Sequence, residues 1–133
     1  LCQPDLAGIR ILLVDDDVGA RESIGLFLRS FGATISVAES AKEAFDILQR
    51  TIADVLVSDI AMPDEDGYSL IQRIRKLSRS SGGGVPAIAL TAFASAEDIM
   101  KAHRAGFIAH LSKPVEAAAL GRTILSALEK DEV

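Results

Sequence analysis

Short apolar runs alternate with amphipathic stretches five times along this 133-residue chain, and that alternation narrows the fold more than any other feature. Strands that alternate with helices pair in parallel and bury both faces of the sheet under the helices. The runs Ile9–Val14, Thr34–Ala38, Asp54–Ser58, Val85–Leu90 and Ile108–Leu111 are expected as strands. Helices are expected over Val18–Phe31, from Ser40 to about Arg50, after Gly67 to near Leu77, over Ala94–Ala105 and over Glu116–Leu128. Gly32 suits the stop of the first helix. Ser40 with Glu43 reads as a capping box for the second, and Ser95 suits the cap of the fourth, with Asp98 in its first turn. Ser78–Gly84, rich in Gly and Ser, is expected as a flexible loop.

The first, third and fourth strands are almost wholly apolar, as strands covered on both faces are. Ser36 and His110 make the second and fifth more mixed, which suits the edges. The resulting fold class is α/β: a doubly wound five-stranded parallel sheet of order 2-1-3-4-5, flavodoxin-like, with five helices. A single domain over residues 9–128 is expected, with short tails at 1–8 and 129–133. In such sheets the ligand lies beyond the carboxyl ends of the strands, at the switch point between strands one and three.

With 49% hydrophobic and 25% charged residues, the composition is that of an ordinary soluble α/β protein. The formal net charge of -5 gives no reason to expect direct nucleic-acid binding by this segment. The single cysteine, Cys2, offers neither a disulfide framework nor a metal cluster and suits a reducing compartment. No apolar run reaches the ~18 residues of a membrane span, and no signal-peptide pattern is visible, so no membrane contact by this segment is expected. A start at Leu1 rather than Met is consistent with a piece of a longer protein. The expected location is cytoplasmic.

The polar residues at the strand ends carry the chemistry. Asp15, Asp16 and Asp17 follow the first strand, Asp59 the third, Thr91 the fourth and Lys113 the fifth. For Asp17 the better reading is a helix cap. Asp15, Asp16 and Asp59 brought close together repel and raise each other's pKa unless a cation sits among them. Hard oxygen ligands favour Mg²⁺, which keeps waters and leaves room for phosphate oxygens. A carboxylate beside Mg²⁺ can attack phosphorus and form an aspartyl phosphate. Lys113 supplies positive charge for the phosphoryl oxygens and Thr91 a hydroxyl donor.

Four motifs in this order resemble the response-regulator receiver domains of two-component signalling, above all those fused to hybrid sensor histidine kinases. They are Leu13-Val14-Asp15-Asp16-Asp17 with Arg21, Ser58-Asp59-Ile60-Ala61-Met62-Pro63 with Asp66-Gly67, Leu90-Thr91-Ala92, and Leu111-Ser112-Lys113-Pro114. The resemblance implies Asp59 as phosphoacceptor, Asp16 as a direct Mg²⁺ ligand, Asp15 acting through water, and the Ala61 backbone carbonyl as a further ligand. It implies Thr91 and Lys113 as phosphoryl contacts and a cis Lys113–Pro114 bond. It also implies a switch at Thr91 and His110 that reshapes the surface around helix four, strand five and helix five. An aromatic residue is usual where His110 stands. At Ala61 and Phe93, where the family tunes hydrolysis, neither side chain can orient a water by hydrogen bonding. The expected donor is a phosphohistidine on a histidine kinase, of which this segment could be the cytoplasmic part, or on a histidine phosphotransfer domain. Helix one carries an apolar stripe, with Ile24 and Leu28 and likewise Phe27 and Phe31 spaced by four; Phe27 and Leu28 read as core, Ala20 and Ile24 as docking contacts, and Arg21 beside them as a surface charge that orients the donor. The chemistry is then self-catalysed phosphorylation and dephosphorylation of one aspartate, not enzymatic turnover.

Two other readings fit these residues less well. In a dehalogenase-like phosphatase, Asp15 would be the nucleophile and Asp17 the acid/base. That chemistry needs another acid after Lys113 to hold Mg²⁺, yet Glu116, Glu129, Asp131 and Glu132 fall in the last helix or tail, and Asp59 has no role. A non-phosphorylated docking module leaves the full set of site residues unexplained. Nicotinamide binding fails because no G-x-G-x-x-G follows the first strand.

Overall fold

The computed structural model describes residues 3–92 and 95–131; Cys2, Phe93 and Ala94 lie outside the described residues. The elements in chain order are β1 (Arg10–Val14), α1 (Val18–Ser30), β2 (Thr34–Ala38), α2 (Ala41–Arg50), β3 (Val55–Asp59), α3 (Gly67–Arg75), β4 (Ala87–Thr91), α4 (Ala96–Ala105), β5 (Ala109–Ser112) and α5 (Ala117–Asp131). All strand pairs are parallel and the order is β2-β1-β3-β4-β5, so the sheet is doubly wound and its direction of growth reverses between β1 and β3.

Alternate strand residues face opposite sides of the sheet. Ile11, Leu13, Val55, Val57, Ile88 and Leu90 pack on one face with Ile24 and Leu28 of α1 and Leu120 and Ile124 of α5. Leu12, Val14, Leu56, Ala87 and Ala89 pack on the other with α2, α3 and α4, chiefly through Leu48, Leu70, Ile71 and Ile74. The apolar strands β1, β3 and β4 thus occupy the middle, and the mixed strands β2 and β5 the edges.

Helix ends follow local chemistry. Asp17 caps α1 by accepting the Ala20 amide at 2.8 Å, Ser40 caps α2 by accepting the Glu43 amide at 3.1 Å, and Ser95 caps α4 by accepting the Asp98 amide at 3.1 Å. Past α1, Gly32 takes φ +102, a left-handed conformation that a side chain rarely adopts.

Three features differ from the sequence expectation. First, β3, β4 and β5 each end one residue later, because Asp59 pairs with Leu90 and Thr91 with Ser112; backbone pairing continues past the last apolar side chain. Second, the stretch expected as a loop carries local structure. It holds one 3₁₀ turn at Arg79–Ser81, and a Cβ on Gly83 would come within 1.9 Å of the Leu77 carbonyl oxygen. Third, the segment before β1 enters the core. Leu6 is fully buried, its amide donates to the Phe31 carbonyl at 2.8 Å, and Pro4 lies where a Cβ on Gly121 would be, 2.7 Å away.

Leu6→Ala is therefore expected to lower unfolding stability by about 2–4 kcal/mol, the range for a buried leucine. Urea denaturation checks this. A loss below about 1 kcal/mol would place residues 3–8 outside the cooperative unit.

Candidate functional site

The carboxyl edge of the sheet gathers the acidic loop after β1, the end of β3, the end of β4 and the turn after β5. Asp15 is held on all sides. Its amide donates to the Ala38 carbonyl at 3.1 Å, its Oδ1 accepts the Asp17 amide at 2.9 Å, and its carbonyl accepts Arg21 Nη1 at 2.8 Å. The side chain is wholly buried, whereas neighbouring Asp16 is exposed. Asp59 is the last residue of β3 and is buried. A Cβ on Gly67 would stand 2.5 Å from the Asp59 carbonyl oxygen, so only glycine lets the start of α3 approach so closely.

Lys113 joins the acids from the far side. Its amide donates to the Thr91 carbonyl at 2.9 Å, and its peptide bond to Pro114 is cis. Its Nζ donates to Asp15 Oδ2 at 2.8 Å and lies 3.4 Å from Asp59 Oδ2. Thr91, half-buried, closes β4 beside Ser112. His110 is half-buried on β5, opposite Ala89. Ala61 is exposed in the loop after β3, and Phe93 lies outside the described residues. The fold therefore brings Asp15, Asp16, Asp59 and Lys113 together, with Thr91 at the adjacent strand end.

One carboxylate oxygen from each of Asp15, Asp16 and Asp59 lies within 4.8 Å of the others. Burial pushes the Asp59 carboxyl up to about 6. The Asp15 charge adds to the rise, Lys113 opposes it, and Asp16 adds a smaller push. Burial works against the Lys113 ammonium, yet the Asp15 and Asp59 carboxylates outweigh it and hold its pKa above the ordinary value. Two buried carboxylates share one lysine, and a third stands beside them. This donor set could hold a metal ion, and its hard oxygens suit a small divalent cation.

The response regulator receiver domain family matches residues 11–125. The chain belongs to that family. An uncharacterized 14.6 kDa protein from Leptolyngbya boryana is 46% identical over 119 residues, covering 90% of this chain and 89% of the relative. The transcriptional regulatory protein GlrR of Escherichia coli is 39% identical over 120 residues, covering 90% of this chain but 26% of its own length. The receiver domain of sensor histidine kinase PA1611 from Pseudomonas aeruginosa superimposes with a TM-score of 0.84 at 33% identity, over 92% of this chain and 99% of that one. Its crystal structure has a magnesium ion coordinated in the active-site cleft.

Two sequence expectations about this receiver's surface need correction. Ile24 is 5% exposed and packs in the core cluster with Leu13, so although it lines the groove beside the site with Ala20 it offers little surface of its own. Arg21 is not a free surface charge. Its guanidinium bonds the Asp15 carbonyl and lies 3.7 Å from Glu39, so reversing its charge would disturb the acidic loop as well as any docking. The apolar feature beside the site is a groove of about 410 Å³ between α1 and the β5–α5 turn, where Ala20, Ile24 and Phe27 face Pro114 and Val115. A larger depression, about 610 Å³, lies at the opposite edge of the sheet, among residues such as Ile9, Ile52, Arg79 and Pro86. Charge rather than volume marks the site. Among the described residues helix lengths and hydropathy give no candidate membrane span.

The raised Asp59 carboxyl has a consequence for stability. Its value is about 6 when folded and 3.8 for a free group, so ionisation favours the unfolded chain. The penalty is absent below pH 3.8, grows between the two values, and is complete above pH 6. It amounts to about 3 kcal/mol at most. Asp59→Asn is expected to stabilise the metal-free receiver by about 1–3 kcal/mol at neutral pH, less whatever Lys113 loses, with the gain vanishing in acid. Urea titrations across that range measure it, and a gain independent of pH would contradict this origin.

Proposed function

We propose that this receiver accepts a phosphoryl group on Asp59 from a phosphohistidine donor and acts as a switch in a phosphorelay. The observation that carries the reading is one lysine ammonium, Lys113 Nζ, set 2.8 Å from Asp15 and 3.4 Å from Asp59 in an otherwise acidic cluster. Asp59 Oδ attacks phosphorus, the donor's P–N bond breaks, and the departing imidazole takes up a proton from solvent. No general base is needed, because the attacking carboxylate is already ionised at neutral pH. Lys113 neutralises charge on the transferring oxygens and the Thr91 hydroxyl donates a hydrogen bond to them.

Asp16 and Asp59, the Ala61 carbonyl, and Asp15 through water would hold Mg²⁺, which when bound would offset the repulsion among carboxylates and phosphoryl oxygens. Chemistry of this kind modifies the receiver itself once, without turnover. The groove formed by Ala20, Phe27, Pro114 and Val115 ends at Lys113, so it suits an apolar helical surface that presents the phosphohistidine of a histidine kinase or phosphotransfer domain. The magnesium-bound receiver of a sensor histidine kinase among the similar structures supports the metal part of the reading. The proposed unit is the domain over residues 9–128, extended by the buried Leu6 segment.

Incubation with a small phosphodonor and Mg²⁺ is expected to add one base-labile phosphoryl group, located by peptide mapping at Asp59. Asp59→Asn should abolish labelling. Asp16→Ala should weaken Mg²⁺ binding about tenfold or more, as loss of a charged ligand does, and slow labelling while the fold persists. Equal labelling of Asp59→Asn and wild type would refute the acceptor assignment.

Phosphorylation should then move the neighbouring surface. A phosphoryl group brings about −1.5 to −2 charges to Asp59, drawing Thr91 and Lys113 inward and loosening β5 and α4. Beryllofluoride, a phosphoryl mimic, is expected to shift the backbone amide signals of His110 and of α4. Shifts confined to the loops after β1 and β3 would mean a site without a switch.

A further inference from the structure

The loop between Asp59 and Gly67 is held at three places. Its neck is closed by the Gly67 amide, which donates to the Ile60 carbonyl at 2.8 Å. Met62 packs against the core. Near its far end, Glu65 accepts Arg73 Nε at 2.7 Å and Arg73 Nη2 at 2.7 Å, and Ser69 Oγ at 2.8 Å. The two parallel bonds from Arg73 fix both the position and the plane of the carboxylate. The Arg73 guanidinium lies 4.2 Å from the centre of the Phe45 ring, so α2 buttresses the clasp from behind. Hydrogen bonding to Arg73 holds the Glu65 carboxyl below its ordinary range; burial opposes this and Ser69 adds to it.

This pair is not a helix-stabilising ion pair of the usual kind. Glu65 precedes α3, and Asp66 already caps that helix by accepting the Ser69 amide at 2.9 Å. Glu65 and Arg73 are eight residues apart, beyond the three- or four-residue spacing of neighbours on a helix. What the clasp holds is the loop. Just before Glu65, Asp64 takes φ 69, a left-handed conformation uncommon outside glycine, though more accessible to aspartate than to most residues, that marks a tight turn in the loop. The same loop presents the Ala61 carbonyl.

We infer that Glu65 and Arg73 are positioning residues, a clasp that keeps the loop after Asp59 in the conformation that sets the Ala61 carbonyl for a divalent cation. The inference rests on the reading of this edge as a cation-assisted phosphoacceptor site. Both side chains are partly exposed, at 23% and 39%, and one such pair, even with both bonds made, is a small part of a domain's global stability. The fold should therefore survive their loss while the loop does not keep its setting.

The test uses the whole chain in four variants: Glu65→Gln, Arg73→Leu, Arg73→Lys, and the exchange of both charges, Glu65→Arg with Arg73→Glu. Amide hydrogen exchange of residues 61–67 is read without metal. Mg²⁺ affinity is then read by amide shifts at a temperature where every variant is fully folded. Loss of either charge should speed loop exchange about tenfold, the effect of removing roughly one hydrogen-bonded contact. It should weaken Mg²⁺ binding about threefold to tenfold, less than for groups that bond a ligand directly, because the clasp acts through the loop. Arg73→Lys keeps the charge but not the fork and should fall between. The charge exchange should recover part of both. Wild-type Mg²⁺ affinity in both Glu65→Gln and Arg73→Leu would overturn the clasp, whatever the exchange rates. A wild-type protein that binds Mg²⁺ yet takes no label at Asp59 would instead overturn the acceptor reading.

Discussion

The ion pair between Lys113 and Asp15 is the constraint around which the carboxyl edge is arranged. Asp15 is wholly buried, and a buried carboxylate without a partner is among the most destabilising groups a protein can hold. Its partner comes from the other side of the sheet. β1 and β5 are separated by β3 and β4, so the two loops stand roughly 14 Å apart at the usual strand spacing. Lys113 must extend over the ends of the two central strands to reach Asp15. That path carries its ammonium past Asp59, 3.4 Å away. The contact that satisfies Asp15 and the contact available to Asp59 are thus made by one ammonium group.

Such an arrangement does little for stability. A buried ion pair recovers mainly its own desolvation, and here one lysine serves two carboxylates, with the Asp59 carboxyl pushed up to about 6 as the sign of what is left over. The stability comes from elsewhere. Both sheet faces are covered by contiguous apolar clusters, and Leu6 extends one of them beyond the first strand. The remaining electrostatic strain is concentrated where a cation could relieve it, in keeping with the general placement of destabilising groups at functional sites.

The sequence is most legible where one side chain decides one feature. Apolar runs locate all five strands, and the polar residues Ser36 and His110 identify the two edges. Asp17 is separable from Asp15 and Asp16 because a cap needs only a local amide. Legibility fails where backbone or distant partners decide. Asp59 and Thr91 look like residues after strands, yet they lie within them, because parallel pairing does not stop at a polar side chain. Ile24 looks like a rim contact, since helical periodicity cannot tell how far a neighbouring element covers a face. Arg21 reaches the Asp15 carbonyl through the fold of a loop. Glu65 and Arg73 sit at a spacing that matches no local pattern, and only the loop's return path brings them together.

Packing also bears on where the change proposed at Asp59 would travel. On one side of the site, α1 buries Ile24 and Leu28 against β1, and α3 buries Leu70, Ile71 and Ile74. On the other, α4 buries only two alanines, Ala102 and Ala105, and Ala109, His110 and Leu111 of β5 are all half-buried. Burial of a leucine or isoleucine is worth about 1.5–3 kcal/mol, and an alanine far less. Local opening is therefore least costly along α4, whereas Phe107 anchors the turn after it and Leu120 and Ile124 of α5 hold β5 from the other face. Lys113 and Thr91 both lie on that side, joined by the Lys113 amide and the Thr91 carbonyl. A pull on either one meets the least resistance there. His110 lies in the strand between α4 and Lys113, so its smaller ring would follow such a movement with less apolar surface to anchor it than a phenylalanine would have.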